Sequence, residues 1–109
     1  MNNFINSWKE IAKKVYQSSI DHGFEPHQHE GISIALMHTE LSECLEAYRH
    51  NNPPSEHISG FSGAEEELAD VVIRILDFGH ARGLRIPEAV LAKIEYNIYR
   101  PTKHGGKRY

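Results

Sequence analysis

Apolar residues recur along most of the chain at steps of three and four, the spacing of one face of an α-helix. Four segments show this pattern, at about residues 4–20, 32–50, 64–82 and 87–100. No segment is convincing as a strand. The pattern therefore predicts an all-α protein whose four helices form a bundle.

Glycine and proline mark the predicted helix ends. Gly23 and Gly83 follow the first and third segments, where a glycine commonly ends a helix. Pro87 stands at the start of the fourth segment, a favoured first-turn position, and Pro101 ends it. The loop 51–63, with two prolines and two glycines, separates the second helix from the third.

Length and composition indicate one ordinary globular domain over residues 1–109. No apolar run approaches the roughly 18 residues of a membrane span, and the N-terminus does not look like a signal peptide. The single cysteine, Cys44, cannot form an internal disulfide, and we interpret it as a small core residue. These features predict a cytoplasmic protein without a membrane partner. A net charge of -3 argues against a nucleic-acid partner.

The second predicted helix carries two acids beside its apolar stripe. At about 100° per residue, Glu40 and Glu43 lie roughly 60° apart at the edge of that stripe, whereas Glu46 points to solvent. The stripe itself consists of Ile34, Met37, Leu41, Cys44, Leu45 and Tyr48.

The third predicted helix is apolar around most of its circumference, so we expect it to be largely buried. One narrow stripe is nevertheless charged, and Glu66 lies beside it. Its members are Glu67, Asp70, Arg74 and Asp77. If this stripe faces the second helix, several carboxylates converge, and their repulsion would require a divalent cation. Oxygen ligands without thiolates suit Mg²⁺, or Mn²⁺. Alternatively, the stripe is a solvated face on which Arg74 pairs with its neighbours.

The fourth helix and the tail after it carry the complementary charge. Lys93, Asn97 and Arg100 share one helix face, where they would contact a triphosphate or a ribose, unless this is simply a solvated face. The tail adds Lys103, His104 and Lys107 around two glycines, which suit close approach to phosphate oxygens. Other chemistries find less support, because the chain has no Glu-x-x-His pair, no recognisable zinc spacing and no GxSxG motif.

Two stretches, HTELSECLEAYR and EEELADVVIRILD, resemble the MazG-like nucleotide pyrophosphohydrolases of the all-alpha NTP pyrophosphatase superfamily. The signature E-x-x-E, spacer, E-x-x-D corresponds here to Glu40, Glu43, Glu67 and Asp70. The final stretch, KIEYNIYRPTKHGGKRY, is similar to the close of small MazG-like proteins. The likeness covers about residues 30–109.

The resemblance implies a MazG-type bundle that works as a homodimer or homotetramer. It also implies magnesium bound by the four signature acids, with Glu43 or Glu40 acting in catalysis. Lys93, Asn97 and Arg100 would contact substrate, possibly across a subunit boundary. Trp8, unless it is a core residue, and the 22–29 segment would contribute to the base pocket. Asp77 would hold Arg74 or Lys93 in place.

The expected activity is magnesium-dependent hydrolysis of (deoxy)nucleoside triphosphates to the monophosphate and pyrophosphate, as in nucleotide-pool cleaning. Two alternatives stay open at this point. One is a non-catalytic helical interaction module whose acidic stripe meets a basic partner. The other is a related pyrophosphatase acting on phosphoribosyl-ATP.

Overall fold

The computed structural model of the protein describes residues 2–100, and this range folds into four α-helices. They are α1 (Asn2–Asp21), α2 (Glu30–Arg49), α3 (Gly63–Arg82) and α4 (Ile86–Ile98). The described range contains no strand, only one isolated bridge between Pro54 and Ser62. The all-α prediction is confirmed.

Local hydrogen bonds explain where the helices begin and end. The ring of His29 accepts the backbone N–H of Gly31, which caps α2 two residues before the predicted start. At α3, Ser62 and Glu65 form a reciprocal capping box that satisfies two free N–H groups. Gly83 ends α3 with φ +66°, a left-handed conformation that side chains disfavour.

Helix α3 lies between two neighbours, because it packs against α2 on one side and α1 on the other. The shorter α4 packs on α1 after a tight turn at the end of α3. Gly79 permits this turn. A Cβ built at that position would stand 2.8 Å from Cγ1 of Ile86, so the two chain segments approach more closely than a larger residue allows.

The α2–α3 loop fixes the start of α3 against the end of α2. Asn51 and Asn52 adopt positive φ angles of 62° and 47°, a conformation that asparagine tolerates. The side-chain oxygen of Asn52 then accepts the N–H of Ala64 at 2.9 Å. The N–H of Gly63 bonds to the carbonyl of Pro53 at 2.7 Å. These bonds hold the acidic first turns of α3 beside α2.

Much apolar surface stays uncovered in the single chain. The prediction that α3 is largely buried is wrong for this chain alone, since Val72 remains 46% exposed. On α2, one exposed apolar stripe consists of Ile34, Leu41, Leu45 and Tyr48. Cys44, in contrast, is buried as predicted. The radius of gyration is 16.3 Å, compared with about 13 Å for a compact domain of about 100 residues. The helices form an open arrangement with a thin core.

None of the helices in residues 2–100 combines the length and the apolar character that crossing a membrane requires.

Candidate metal centre and adjoining cleft

Three of the four signature acids meet between α2 and α3. Carboxylate oxygens of Glu40, Glu67 and Asp70 all lie within 4.8 Å of one another. We call these three residues the acidic cluster. Glu40 occupies the face of α2 that packs on α3, between the half-buried Met37 and the buried Cys44, and is itself only 8% exposed. The Glu40 carboxylate therefore lies between α2 and α3, beside the acids and Arg74 of α3.

Glu43 lies one turn further along α2 and is exposed, at the edge of the acidic cluster. Its carboxylate is close enough to Glu67 to affect that side chain's protonation. Its oxygens are not among those that meet within 4.8 Å. The folded chain thus has three clustered carboxylates and a fourth at the rim.

The acidic cluster is electrostatically costly for the protein. Burial raises the pKa of Glu67 to about 8, and the neighbouring Glu40 and Glu43 carboxylates contribute to this rise. Its Oε2 atom is buried and has no hydrogen-bond partner within residues 2–100. Burial also raises the pKa of Asp70, as do the charges of Glu40 and Glu66. The side chains are held in positions where a positive ion would be favourable.

Arg74 lies against the acidic cluster. The Nε and Nη2 atoms of Arg74 donate to Oε1 of Glu40 at 3.3 and 3.1 Å. The sequence-based alternative had Arg74 pairing along its own helix, whereas the guanidinium bridges α3 to α2. Within residues 2–100, this one guanidinium does not balance the three clustered carboxylates and the fourth at the rim, so an excess of negative charge remains there.

Glu66 belongs to a separate network with the α2–α3 loop. Its carboxylate accepts from Ser55 Oγ at 2.6 Å and lies 2.7 Å from Nδ1 of His57. These contacts lower the pKa of Glu66 and raise the pKa of His57. Ser55 and His57 gave no signal in the sequence, because loop residues have no periodicity that would place them beside α3.

A cleft of about 580 Å³ adjoins the acidic cluster. Glu40, Asp70 and Arg74 line its part nearest the cluster. Its other walls combine apolar and polar side chains and come from α1, α2, α3 and the α1–α2 segment. They include Phe24, Pro26, Leu36, Met37, Ile73 and Phe78. The cleft therefore joins a charged region to a region with several large apolar side chains.

Arg82 holds the α1–α2 segment over this cleft. Its guanidinium donates to the carbonyls of Pro26 and Gln28, at 3.1 and 2.5 Å, and lies 3.9 Å from the ring centroid of Phe78. On the other side, the hydroxyl of Tyr16 lies 2.7 Å from Nε2 of His27. The 22–29 segment therefore contributes residues to the cleft.

Asp77 has a partner other than those predicted. Its Oδ2 accepts from Ser19 of α1 at 3.0 Å, whereas Arg74 donates to Glu40 instead. Lys93 lies over its own neighbour, the ring of Tyr96, at 4.3 Å. Ser19 and Asp77 both line the cleft. Asp77 lies two helical turns beyond Asp70 on α3. Ser19 gave no signal in the sequence.

The remaining predicted substrate contacts lie elsewhere in the single chain. Trp8 lines a second cleft, of about 450 Å³, formed by α1 and the α3–α4 turn. Lys93 and Asn97 lie on α4, whereas Arg100 follows the end of this helix at Ile98, and none of the three lines the cleft beside the acidic cluster. The predicted contacts in the tail fall outside the described residues. They are Lys103, His104 and Lys107.

Comparison with protein-family models, with curated proteins and with solved structures returns no match to this chain.

Proposed function

We propose that this protein is a magnesium-dependent hydrolase that converts nucleoside triphosphates to the monophosphate and pyrophosphate, as the MazG-like resemblance implies. The observation that carries the proposal is the meeting of Glu40, Glu67 and Asp70 within 4.8 Å, beside a cleft with apolar walls. A solvated acidic stripe would spread its charges apart rather than gather them from two helices.

The donor set fits a hard divalent cation. Every group in the acidic cluster offers a carboxylate oxygen, and Oε2 of Glu67 is buried without a partner within residues 2–100. Such oxygens suit Mg²⁺ or Mn²⁺. Glu40, Glu67 and Asp70 would hold the ion, with Glu43 completing the set or acting on water. When bound, the ion supplies neutralising charge to the phosphate oxygens.

The exposed position of Glu43 suits the activation of water. Its carboxylate would orient a water molecule and take its proton as the water oxygen attacks the α-phosphorus. The bond between the α- and β-phosphates then breaks, and pyrophosphate leaves with the displaced bridging oxygen. Arg74, one turn beyond Asp70, would keep the Glu40 carboxylate in place throughout.

A second copy of the chain would complete the site. The exposed apolar stripe of α2 is large for an uncovered surface, with Leu45 and Tyr48 at 53% and 60% exposure. Association through this stripe would thicken the thin core. It would also allow Lys93, Asn97 and Arg100 of one copy to approach the phosphates held by the other. The homodimer or homotetramer is therefore part of the proposal.

The test is pyrophosphate release from a panel of canonical and damaged NTPs and dNTPs, with and without magnesium. Glu40→Gln and Asp70→Asn should each abolish turnover while the helical content measured by circular dichroism stays nearly unchanged. Glu46→Gln is the matched control, because Glu46 lies on α2 and is exposed. Full activity in Glu40→Gln or Asp70→Asn would refute the proposal.

The same panel separates the alternatives. Turnover of phosphoribosyl-ATP in preference to every nucleoside triphosphate would redirect the substrate assignment. A helical interaction module predicts no turnover and no thermal shift with magnesium and nucleotide. The proposed enzyme predicts stabilisation, because a ligand that binds only the folded state raises its stability.

A further inference from the structure

The part of the cleft beyond the acidic cluster is lined by apolar side chains together with Glu25, Gln28 and Ser33, and one hydrogen-bonded pair joins its α1 and α3 walls. Asp77 on α3 and Ser19 on α1 form this pair, with Phe24 and Phe78 also lining the cleft. Seven residues separate Asp77 from Asp70, which is about 10 Å along a helix that rises 1.5 Å per residue. This separation is comparable with the reach of a nucleotide from its phosphates to the edge of its base.

The Asp77 carboxylate is only half satisfied. Its Oδ2 accepts the Ser19 hydroxyl, while Oδ1 is buried and has no hydrogen-bond partner within residues 2–100. Buried polar atoms are normally hydrogen-bonded, so an unpartnered one calls for a specific explanation. An ionised carboxylate can only accept hydrogen bonds. An N–H or O–H donor on a ligand in the cleft would therefore satisfy Oδ1.

We infer that Asp77 reads the nucleobase, accepting a hydrogen bond from an exocyclic amino group such as that of cytosine or adenine. Ser19 is the positioning residue, because its hydroxyl occupies the other carboxylate oxygen and fixes the carboxylate plane. This inference rests on the proposed function for the identity of the ligand as a nucleotide. It adds the residue that determines base specificity and the class of base preferred.

The preference for an amino base follows from whether the group at the base edge is a hydrogen-bond donor or an acceptor. Cytosine and adenine present an amino donor where uracil and hypoxanthine present a keto oxygen. A keto oxygen at this position would face Oδ1 of Asp77, placing two acceptors together between apolar walls. A site built around a buried hydrogen bond rejects the analogue that cannot make it. The amino member of each pair should therefore bind at least about tenfold more tightly.

The test measures binding separately from hydrolysis. The full ¹⁵N-labelled chain, with Mg²⁺ present, is titrated with CMP, UMP, AMP and IMP, which have no anhydride bond to hydrolyse, while its amide spectrum is recorded. The dissociation constants are then compared for wild type and Asp77→Asn. Asp21→Asn is the matched control, because Asp21 is exposed at the end of α1 and does not line the cleft. Circular dichroism checks that each variant is folded.

We expect CMP and AMP to bind more tightly than UMP and IMP to wild type and to Asp21→Asn. In Asp77→Asn the preference should fall to within about twofold or reverse, because an amide can donate to a keto oxygen. The inference would be overturned if wild type and Asp77→Asn showed the same preference for amino over keto nucleotides, or if no nucleotide bound to the protein. If the amino preference holds but no triphosphate is hydrolysed, base reading by Asp77 stands and the proposed enzymatic function fails.

Discussion

Glu67→Gln is the substitution whose effect can be worked out most fully from the structure. Glu67 has a pKa of about 8 in the folded chain, against an ordinary value of 4.5. Between these two values the folded state binds more protons than the unfolded state, so stability falls as pH rises through this window. The pKa difference sets an upper limit of about 5 kcal/mol. Solvent screening at this partly exposed side chain lowers the expected effect to about 2 kcal/mol.

Glutamine has nearly the shape of a protonated glutamate, so Glu67→Gln should remove this pH-dependent loss. Thermal unfolding followed by circular dichroism between pH 5 and 9, in EDTA, measures the effect. Relative to wild type, Glu67→Gln should gain about 10 °C in Tm as pH rises from 5 to 8.5. Magnesium should raise the Tm of wild type at high pH and leave the Tm of the variant unchanged. Glu10→Gln, at an exposed position on α1, should follow wild type. If the curves of Tm against pH ran parallel for wild type and Glu67→Gln, the charge of Glu67 would not be what lowers stability at high pH.

Two further predictions concern assembly and packing. Leu45→Glu, in the exposed apolar stripe of α2, should reduce the mass measured by light scattering to that of one 12.5 kDa chain, whereas Glu46→Lys, outside the stripe, should not. An unchanged oligomer in Leu45→Glu would exclude this stripe from the interface. Gly79→Ala should lower Tm by about 5 °C, because the close contact with Ile86 outweighs a helix-propensity gain of about 1 kcal/mol. A higher Tm would show that the turn between α3 and α4 can relax.

The sequence predicted the helices well because their signals are local. Periodic apolar residues, Gly83 and Pro87 each act within a turn or two, so the observed helix ends lie within two residues of the prediction. The convergence of Glu40 with Glu67 and Asp70 depended on which faces of α2 and α3 meet. Helical spacing alone allowed it but did not require it.

The remaining parts of the site depend on contacts that leave no trace in the spacing of residues. Ser19 meets Asp77 across 58 positions, and His57 reaches Glu66 from an aperiodic loop. The burial of α3 was overestimated for a different reason. An apolar helix face is buried only where another element covers it, and the spacing of residues along one helix does not say how much of that face its neighbours cover.

Anomalous scattering tests most directly whether a divalent cation binds between α2 and α3, as we propose. Crystals would be grown with Mn²⁺ and an α,β-methylene nucleoside triphosphate, which cannot be cleaved at that bond. We predict an anomalous peak within about 2.2 Å of carboxylate oxygens of Glu40, Glu67 and Asp70, the distance expected for a hard cation. A peak elsewhere, or none at these three residues with nucleotide bound, would contradict the account.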